Sequence, residues 1–320
     1  MPVSLASCLF CVGSYLRAVS KKVFNQLKKL VTEKKNPRST LIDRLPTLDV
    51  LKIINAEDRN VPVAVARKLP QIARGAELYH QTYKNGGRIF YVGAGTSGRL
   101  GVLDAAELPP TFGADHRRVK GIIAGGYRTL ARSREGVEDD AQAAVRNLQK
   151  ERLTNNDLVI GISASRRTPY VAAALAFARR KKAKTIFISA NPHPVVPIQA
   201  DVNISVVVGP EVVAGSTRMK AGTAQKLVLN MISTTAMVKL GKTYRNVMVD
   251  LGGTSEKLKE RAKKTLIDLT GVSYAKTGKL LSAADGHLKT ALVMAVKGIS
   301  AQEAKKLLLR KDSKLFRILE

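Results

Sequence analysis

Arg88-Ile89-Phe90-Tyr91-Val92 is an apolar run that passes directly into Gly93-Ala94-Gly95-Thr96-Ser97-Gly98, a glycine-rich loop. The run is short and lies between Gly86-Gly87 and that loop, so it reads as a buried strand. A helix over 100–107 follows the loop and halts before Pro109-Pro110, because a residue preceding proline avoids the α region. Working outward, similar apolar runs recur at 121–124, 158–162, 185–189 and 204–208. Helical patterns at 135–149, 170–180 and 219–240 separate most of them. Upstream, Asp49 can cap a short helix through Leu51, Ile53 and Ile54, and a longer helix is predicted over 61–84. Strands alternating with helices predict an α/β fold: a parallel sheet covered on both faces, a three-layer α-β-α sandwich. Beyond Gly252 the strand pattern stops. Helical patterns at 255–268, 273–283, 287–296 and 301–308 predict a small C-terminal helical subdomain over 251–320. It follows an α/β body over 31–250 and a basic extension over 1–30.

The 320 residues are 45% hydrophobic and 25% charged, which excludes wholesale disorder. No run approaches the roughly 18 to 20 apolar residues of a membrane span. The charge balance is unusual, at +29. Basic residues crowd the N-terminus, the stretch 256–264 and the tail from Lys305 to Arg317. Such an excess points to an anionic partner. Aromatic residues are only 5% and Trp is absent, so stacking platforms for nucleic acid are poorly supplied. A phosphorylated small molecule is favoured, with no specific nucleic acid and no membrane as partner. Cys8 and Cys11 are the only cysteines, which leaves the body free of thiols and fits a reducing cytoplasm. Leu5-Ala6-Ser7-Cys8 resembles a lipoprotein processing box, but no basic and apolar leader precedes it. His80, His116, His193 and His287 lack metal-like spacing, so neither metal nor cofactor is expected.

Residues 93–98 match G-x-G-x-x-G literally. A dinucleotide site also needs a carboxylate about 20 residues on to hold the ribose. Ile122-Ile123-Ala124-Gly125-Gly126 supplies none. What survives is an anion site at a helix N-terminus, with backbone N–H groups around Gly95 and Gly98 and hydroxyls from Thr96 and Ser97. Ser163-Ala164-Ser165-Arg166-Arg167-Thr168 repeats that chemistry before Pro169, offering Ser163, Ser165 and Thr168. A third loop, 209–218, carries Ser216 into the next long helix. Helix capping alone would explain any one of these loops. Three after parallel strands gather at one sheet edge, where open α/β folds bind ligands.

Two carboxylate groups stand out. Glu107 is expected in the last turn of its helix, where the negative end of the dipole disfavours a charged carboxylate and suits a proton donor. Glu135 and Glu138 are expected at i and i+3 on one helical face, within the acidic run Glu135-Gly136-Val137-Glu138-Asp139-Asp140.

The stretch 92–113 (VGAGTSGRLGVLDAAELPPTFG), together with Thr168-Pro169-Tyr170-Val171, 215–230 (GSTRMKAGTAQKLVLN) and 47–58 (TLDVLKIINAED), resembles the N-acetylmuramic acid 6-phosphate etherases of the sugar isomerase (SIS) superfamily. The resemblance runs from Thr32 to about Leu308. It implies elimination of D-lactate from N-acetylmuramic acid 6-phosphate, followed by water addition to give N-acetylglucosamine 6-phosphate. Glu107 then corresponds to the proton donor for departing lactate and Glu138 to the second functional glutamate, in proton abstraction or ring opening. Ser97, Ser163, Ser165 and Thr168 become ligands for phosphate or sugar hydroxyls. The family also implies a homodimer, with the helical tail capping the neighbouring site and Lys289 as its basic candidate. Arg166 departs from the family's usual glycine, and either crowds the phosphate or strengthens its grip; Leu108 replaces a common cysteine. A non-catalytic phosphosugar sensor is the alternative. A DNA-binding regulator would need a helix-turn-helix in front, and none is evident.

Overall fold

Five short strands carry the molecule: β1 (Ile89–Gly93), β2 (Val119–Ile123), β3 (Leu158–Ile162), β4 (Lys184–Ser189) and β5 (Val202–Ser205). All pair in parallel, in the order β2-β1-β3-β4-β5. The computed structural model describes residues 24–192, 198–250, 256–310 and 314–320. Most of the basic extension, both cysteines and His193 lie outside the described residues.

Alternate side chains of the strands feed two cores, as a period of two requires. Ile89, Tyr91, Leu158, Ile160, Ile162, Ile186 and Ile188 face one way. There they meet α2 (Asn60–Ala66), α3 (Leu69–Lys84), α4 (Gly95–Phe112) and α8 (Lys220–Lys239). Phe90, Val92, Val159 and Phe187 face the other way, onto α6 (Ala141–Lys150) and α7 (Pro169–Arg180). The predicted three-layer sandwich is therefore the observed fold. α1 (Thr47–Asp58) precedes this body, and α5 (Arg128–Ala131) is a single turn after β2. No helix among the described residues is long and apolar enough to cross a membrane.

At the amino edge of the sheet, buried Asp157 joins β1 to β3. Its carboxylate accepts from Arg88 N at 2.9 Å, Nε at 3.1 Å and Nη2 at 2.7 Å. Thr154 adds its N at 2.8 Å and its hydroxyl at 3.0 Å. Beyond the sheet, a hairpin of β6 (Thr243–Tyr244) and β7 (Val247–Met248) leads to five helices: α9 (Glu256–Thr270), α10 (Tyr274–Ala283), α11 (Leu288–Lys297), α12 (Ala301–Leu309) and α13 (Leu315–Leu319). They enclose a separate core around Leu266, Ala291 and Leu292.

Three expectations are corrected. The helix after the glycine loop does not stop at Glu107 but runs through Pro109-Pro110 to Phe112 and ends on Gly113 at φ 60°. Ala105, Leu108 and Phe112 bury one stripe of it in the core, and that burial outweighs the backbone bonds the prolines forfeit. Residues 135–139 form a turn rather than a helix; α6 starts only after Asp140, whose side chain accepts from Ala143 N at 2.8 Å. The helix expected over 61–84 is two helices, because Pro70 sits in the first turn of α3 and cannot continue a helix from upstream.

Candidate functional site

The strand order reverses between β1 and β3, and a cleft of about 260 Å³ opens beyond their carboxyl ends. Its walls are the loop after β1 (Gly95, Thr96, Ser97), the loop after β2 (Arg134, Glu135, Glu138) and the loop after β3 (Ser163, Ser165, Thr168). Gly215 and Thr217 of the third loop close it, together with Glu33.

The glycines of the first loop make a close approach possible. A Cβ on Gly98 would stand 2.7 Å from the Gly93 oxygen and 2.6 Å from Ile123, so the start of α4 can lie against β1 only without one. Gly95 takes φ +53° at the first helical position. The Ser97 hydroxyl donates to Gln225 Oε1 on α8 at 2.9 Å, which ties the loop to the next wall. In the second hydroxyl loop Ser163 and Thr168 share a hydrogen bond of 2.8 Å, and Ser165 Oγ accepts from Arg167 N at 3.1 Å.

Glu138 is held by its backbone: its carbonyl accepts from Tyr170 N at 3.0 Å in the first turn of α7. Gly136 at φ 80° makes the turn that presents Glu135 and Glu138 to the cleft. Arg99 secures the same loop, donating to the carbonyls of Thr129 at 2.7 Å and Leu130 at 3.0 Å and to Ser133 Oγ at 3.2 Å.

Thr96, Ser97, Ser163, Ser165, Thr168 and Glu138 thus converge with Gly95, whereas Gly98 packs beneath the loop and Ser216 lies beside the lining residues Gly215 and Thr217. Glu107 does not join them. It is exposed on α4, 12 residues past Gly95 in the sequence, about 18 Å along the helix axis. Since α4 continues to Phe112, Glu107 is not in a last turn, and the dipole reasoning loses its basis. Lys289 also lies elsewhere, in a different cleft, where its Nζ pairs with Asp250 at 2.9 Å.

Sequence reasoning missed Glu33, Arg99, Arg134 and Thr217. Arg99 and Thr217 adjoin the recognised loops and were within reach. Glu33 carries no local signal: Gly215 N donates to the Thr32 oxygen at 3.0 Å, and Asn191 bonds Val31 N at 2.7 Å and the Thr32 hydroxyl at 3.2 Å. Those contacts bring it to the mouth.

The third loop is not an open anion site. Buried Glu211 puts its own carboxylate on the start of α8, accepting from Lys220 N at 3.0 Å and Ala221 N at 2.9 Å. Burial pushes this carboxyl up, against the lowering effect of those two N–H groups and of the Lys220 charge. Lys220 is itself buried and pairs with Glu57, which roots α1 in this wall.

Arg166 does adopt a left-handed conformation, φ +61°, but its side chain turns away from the cleft. It is 5% exposed, stacks over Phe187 at 4.9 Å and donates to Ser189 Oγ at 3.2 Å and Ser205 Oγ at 2.8 Å. Burial lowers its pKa. In this position it does not line the cleft. Left-handed backbone costs an L-residue about 1 kcal/mol relative to glycine. Arg166→Gly and Arg166→Ala both lose the same side-chain contacts, so urea unfolding should find the glycine variant more stable by about that much. An alanine variant of equal or greater stability would contradict the strain.

Among the described residues, no three His, Cys, Asp or Glu side chains converge as a metal site would require. Two family models match: the glucokinase regulatory protein N-terminal SIS domain over residues 71–179 and the SIS domain over residues 137–235. An N-acetylmuramic acid 6-phosphate etherase of Salinibacter ruber is 51% identical over 288 residues, 90% of this chain and 93% of that protein. One from Histophilus somni is 45% identical, covering 94% of this chain and 99% of its own. A phosphoheptose isomerase structure from Francisella tularensis aligns at 16% identity and a TM-score of 0.47, over 61% of this chain and all (100%) of that one. With a parallel sheet of this order, the hydroxyl loops at its switch point and identity at this level along nearly its whole length, the chain belongs to the N-acetylmuramic acid 6-phosphate etherase family.

Proposed function

We propose that this protein is a carbon–oxygen lyase that removes D-lactate from N-acetylmuramic acid 6-phosphate. Family membership carries the substrate, and the presence of Glu138 beside three hydroxyl-bearing loops supports the chemistry. The phosphate is received at the start of α4, where N–H groups and the Thr96 hydroxyl face the cleft. With the sugar open as its aldehyde, the proton on carbon 2 is acidic and Glu138 accepts it. The bond from carbon 3 to the ether oxygen breaks, and that oxygen takes a proton from Glu107 as lactate leaves. Water then adds across the double bond, hydroxyl to carbon 3 and hydrogen to carbon 2, giving N-acetylglucosamine 6-phosphate.

Glu107 does not line the cleft that holds Glu138 in its own chain, so this mechanism calls for a homodimer in which each protomer lends Glu107 to its partner's cleft. Leu103, one turn before Glu107, is 50% exposed. This apolar side chain beside the donor is suited to burial against a second copy. A body without cysteines fits a cytoplasmic enzyme.

Purified protein incubated with N-acetylmuramic acid 6-phosphate should release one D-lactate per N-acetylglucosamine 6-phosphate formed. Phosphosugar binding without any D-lactate would replace the enzyme with a sensor.

A further inference from the structure

The substrate proposed above carries two anionic groups, a phosphate on carbon 6 and the carboxylate of the lactyl ether on carbon 3. The start of α4 receives the first. The second enters a cleft whose lining includes three carboxylates, Glu33, Glu135 and Glu138. Like charges brought into one concavity repel one another, so a substrate carboxylate settles there only against a cation.

Among the described residues, two guanidinium groups line the cleft, those of Arg99 and Arg134. Arg99 is engaged. Its Nε donates to the Leu130 oxygen at 3.0 Å, and its Nη2 to the Thr129 oxygen at 2.7 Å and to Ser133 Oγ at 3.2 Å. Arg134 is exposed, and its side chain makes no hydrogen bond or ion pair with a described residue. The nearby Asp140 pairs instead with Arg146 at 3.2 Å. Yet the backbone around Arg134 is pinned. Arg99 holds Ser133 on one side, and on the other the Glu138 oxygen accepts from Tyr170 N at 3.0 Å. A guanidinium on a fixed loop is prepared for a planar anion that accepts two parallel hydrogen bonds, and a carboxylate is one. The same loop carries Glu138 four residues later. Glu138 acts at carbon 2 and the lactyl group hangs from the adjacent carbon 3, so one loop addresses both.

We propose that Arg134 receives the lactyl carboxylate and thereby sets the preference of the cleft for the lactyl ether over its delactylated product. The assignment rests on the substrate proposed above. Once lactate has left, N-acetylglucosamine 6-phosphate offers this side chain no carboxylate, so the product is held less tightly and vacates the cleft.

Calorimetry in the Glu138→Gln background, which slows consumption of the substrate, compares N-acetylmuramic acid 6-phosphate with N-acetylglucosamine 6-phosphate. Adding Arg134→Gln should weaken the lactyl sugar by about tenfold, the scale of one hydrogen bond to a charged group, and leave the affinity of the product unchanged. Arg134→Lys keeps the charge without the fork and should fall between. Arg134 forfeits no hydrogen bond or ion pair to a described residue, so both variants should keep the circular dichroism of their parent. Equal weakening of the two sugars would make Arg134 a phosphate ligand, and no weakening of either would make it a solvated surface charge; each overturns the assignment. D-lactate release by wild type judges the reaction separately. Release alongside either of those results would remove the carboxylate contact and leave the lyase intact, whereas selective weakening without release would keep the contact and remove the lyase.

Discussion

Glu138→Gln should lower D-lactate release by about 10²- to 10⁴-fold, the usual contribution of a positioned general base, and Glu107→Gln should do the same for the donor. Glutamine keeps the size of the side chain and leaves the turn at Gly136 and the helix α4 undisturbed, so both variants should fold. The decisive result comes from mixing them. If each protomer lends Glu107 to its partner, a hybrid of the two variants holds one complete pair of carboxylates, and dissociating and reassociating the mixture should restore up to about a quarter of wild-type turnover: half the dimers are hybrids, each with one of two sites intact. No restoration, with hybrids present by mass spectrometry, would place both groups in one chain's site or remove Glu107 from the reaction.

Asp157→Ala should be the most damaging single change to stability. It leaves the Arg88 guanidinium with only the carbonyls of Glu151 and Arg152 and takes the Thr154 hydroxyl's acceptor away, at the amino edge of β1 and β3. Removing one partner of a buried ion pair costs about 3–5 kcal/mol, a large share of the 5–15 kcal/mol typical of a domain. The same group sets an acid limit. Burial alone would raise the Asp157 pKa, but the bonds from Arg88 and Thr154 hold it below the usual carboxylate value. The folded state therefore binds fewer protons here than the unfolded chain. Its contribution is complete above the unfolded value of about 3.9 and is lost as pH falls through the lower folded value. Between roughly pH 5 and pH 3 the urea midpoint of wild type should fall more steeply than that of Asp157→Asn. Parallel slopes would show that the carboxylate is not the sensitive group.

The sheet was legible because each strand is a short apolar run between glycines or polar turns, as at 88–93 and 158–162. β5 was misplaced towards 208 because Val206 and Val208 are buried like strand residues, yet β4 runs out at Ser189 and leaves no ladder beyond Ser205 to pair with. The proline rule failed at Leu108-Pro109-Pro110, where core burial decides, and it was not applied at Pro70, where a new helix starts. In the site, the first two hydroxyl loops could be read because each follows its strand directly. Glu33 could not, since it arrives through Thr32 and Asn191 from distant parts of the chain. The acidic run was recognised as important, but its shape was misread: Gly136 prefers the turn to the helix, and Asp140 then caps α6.

Glu211 gives the entrance of α8 an internal counter-ion. Dissolved salt cannot displace a group tethered to the same polypeptide, so that corner of the fold keeps its charge balance whatever the electrolyte. At the α4 entrance no side chain of the described residues caps the helix, so its guest is exchanged with the medium. Rising ionic strength should therefore loosen the sugar's hold at one helix while its neighbour stays as it was.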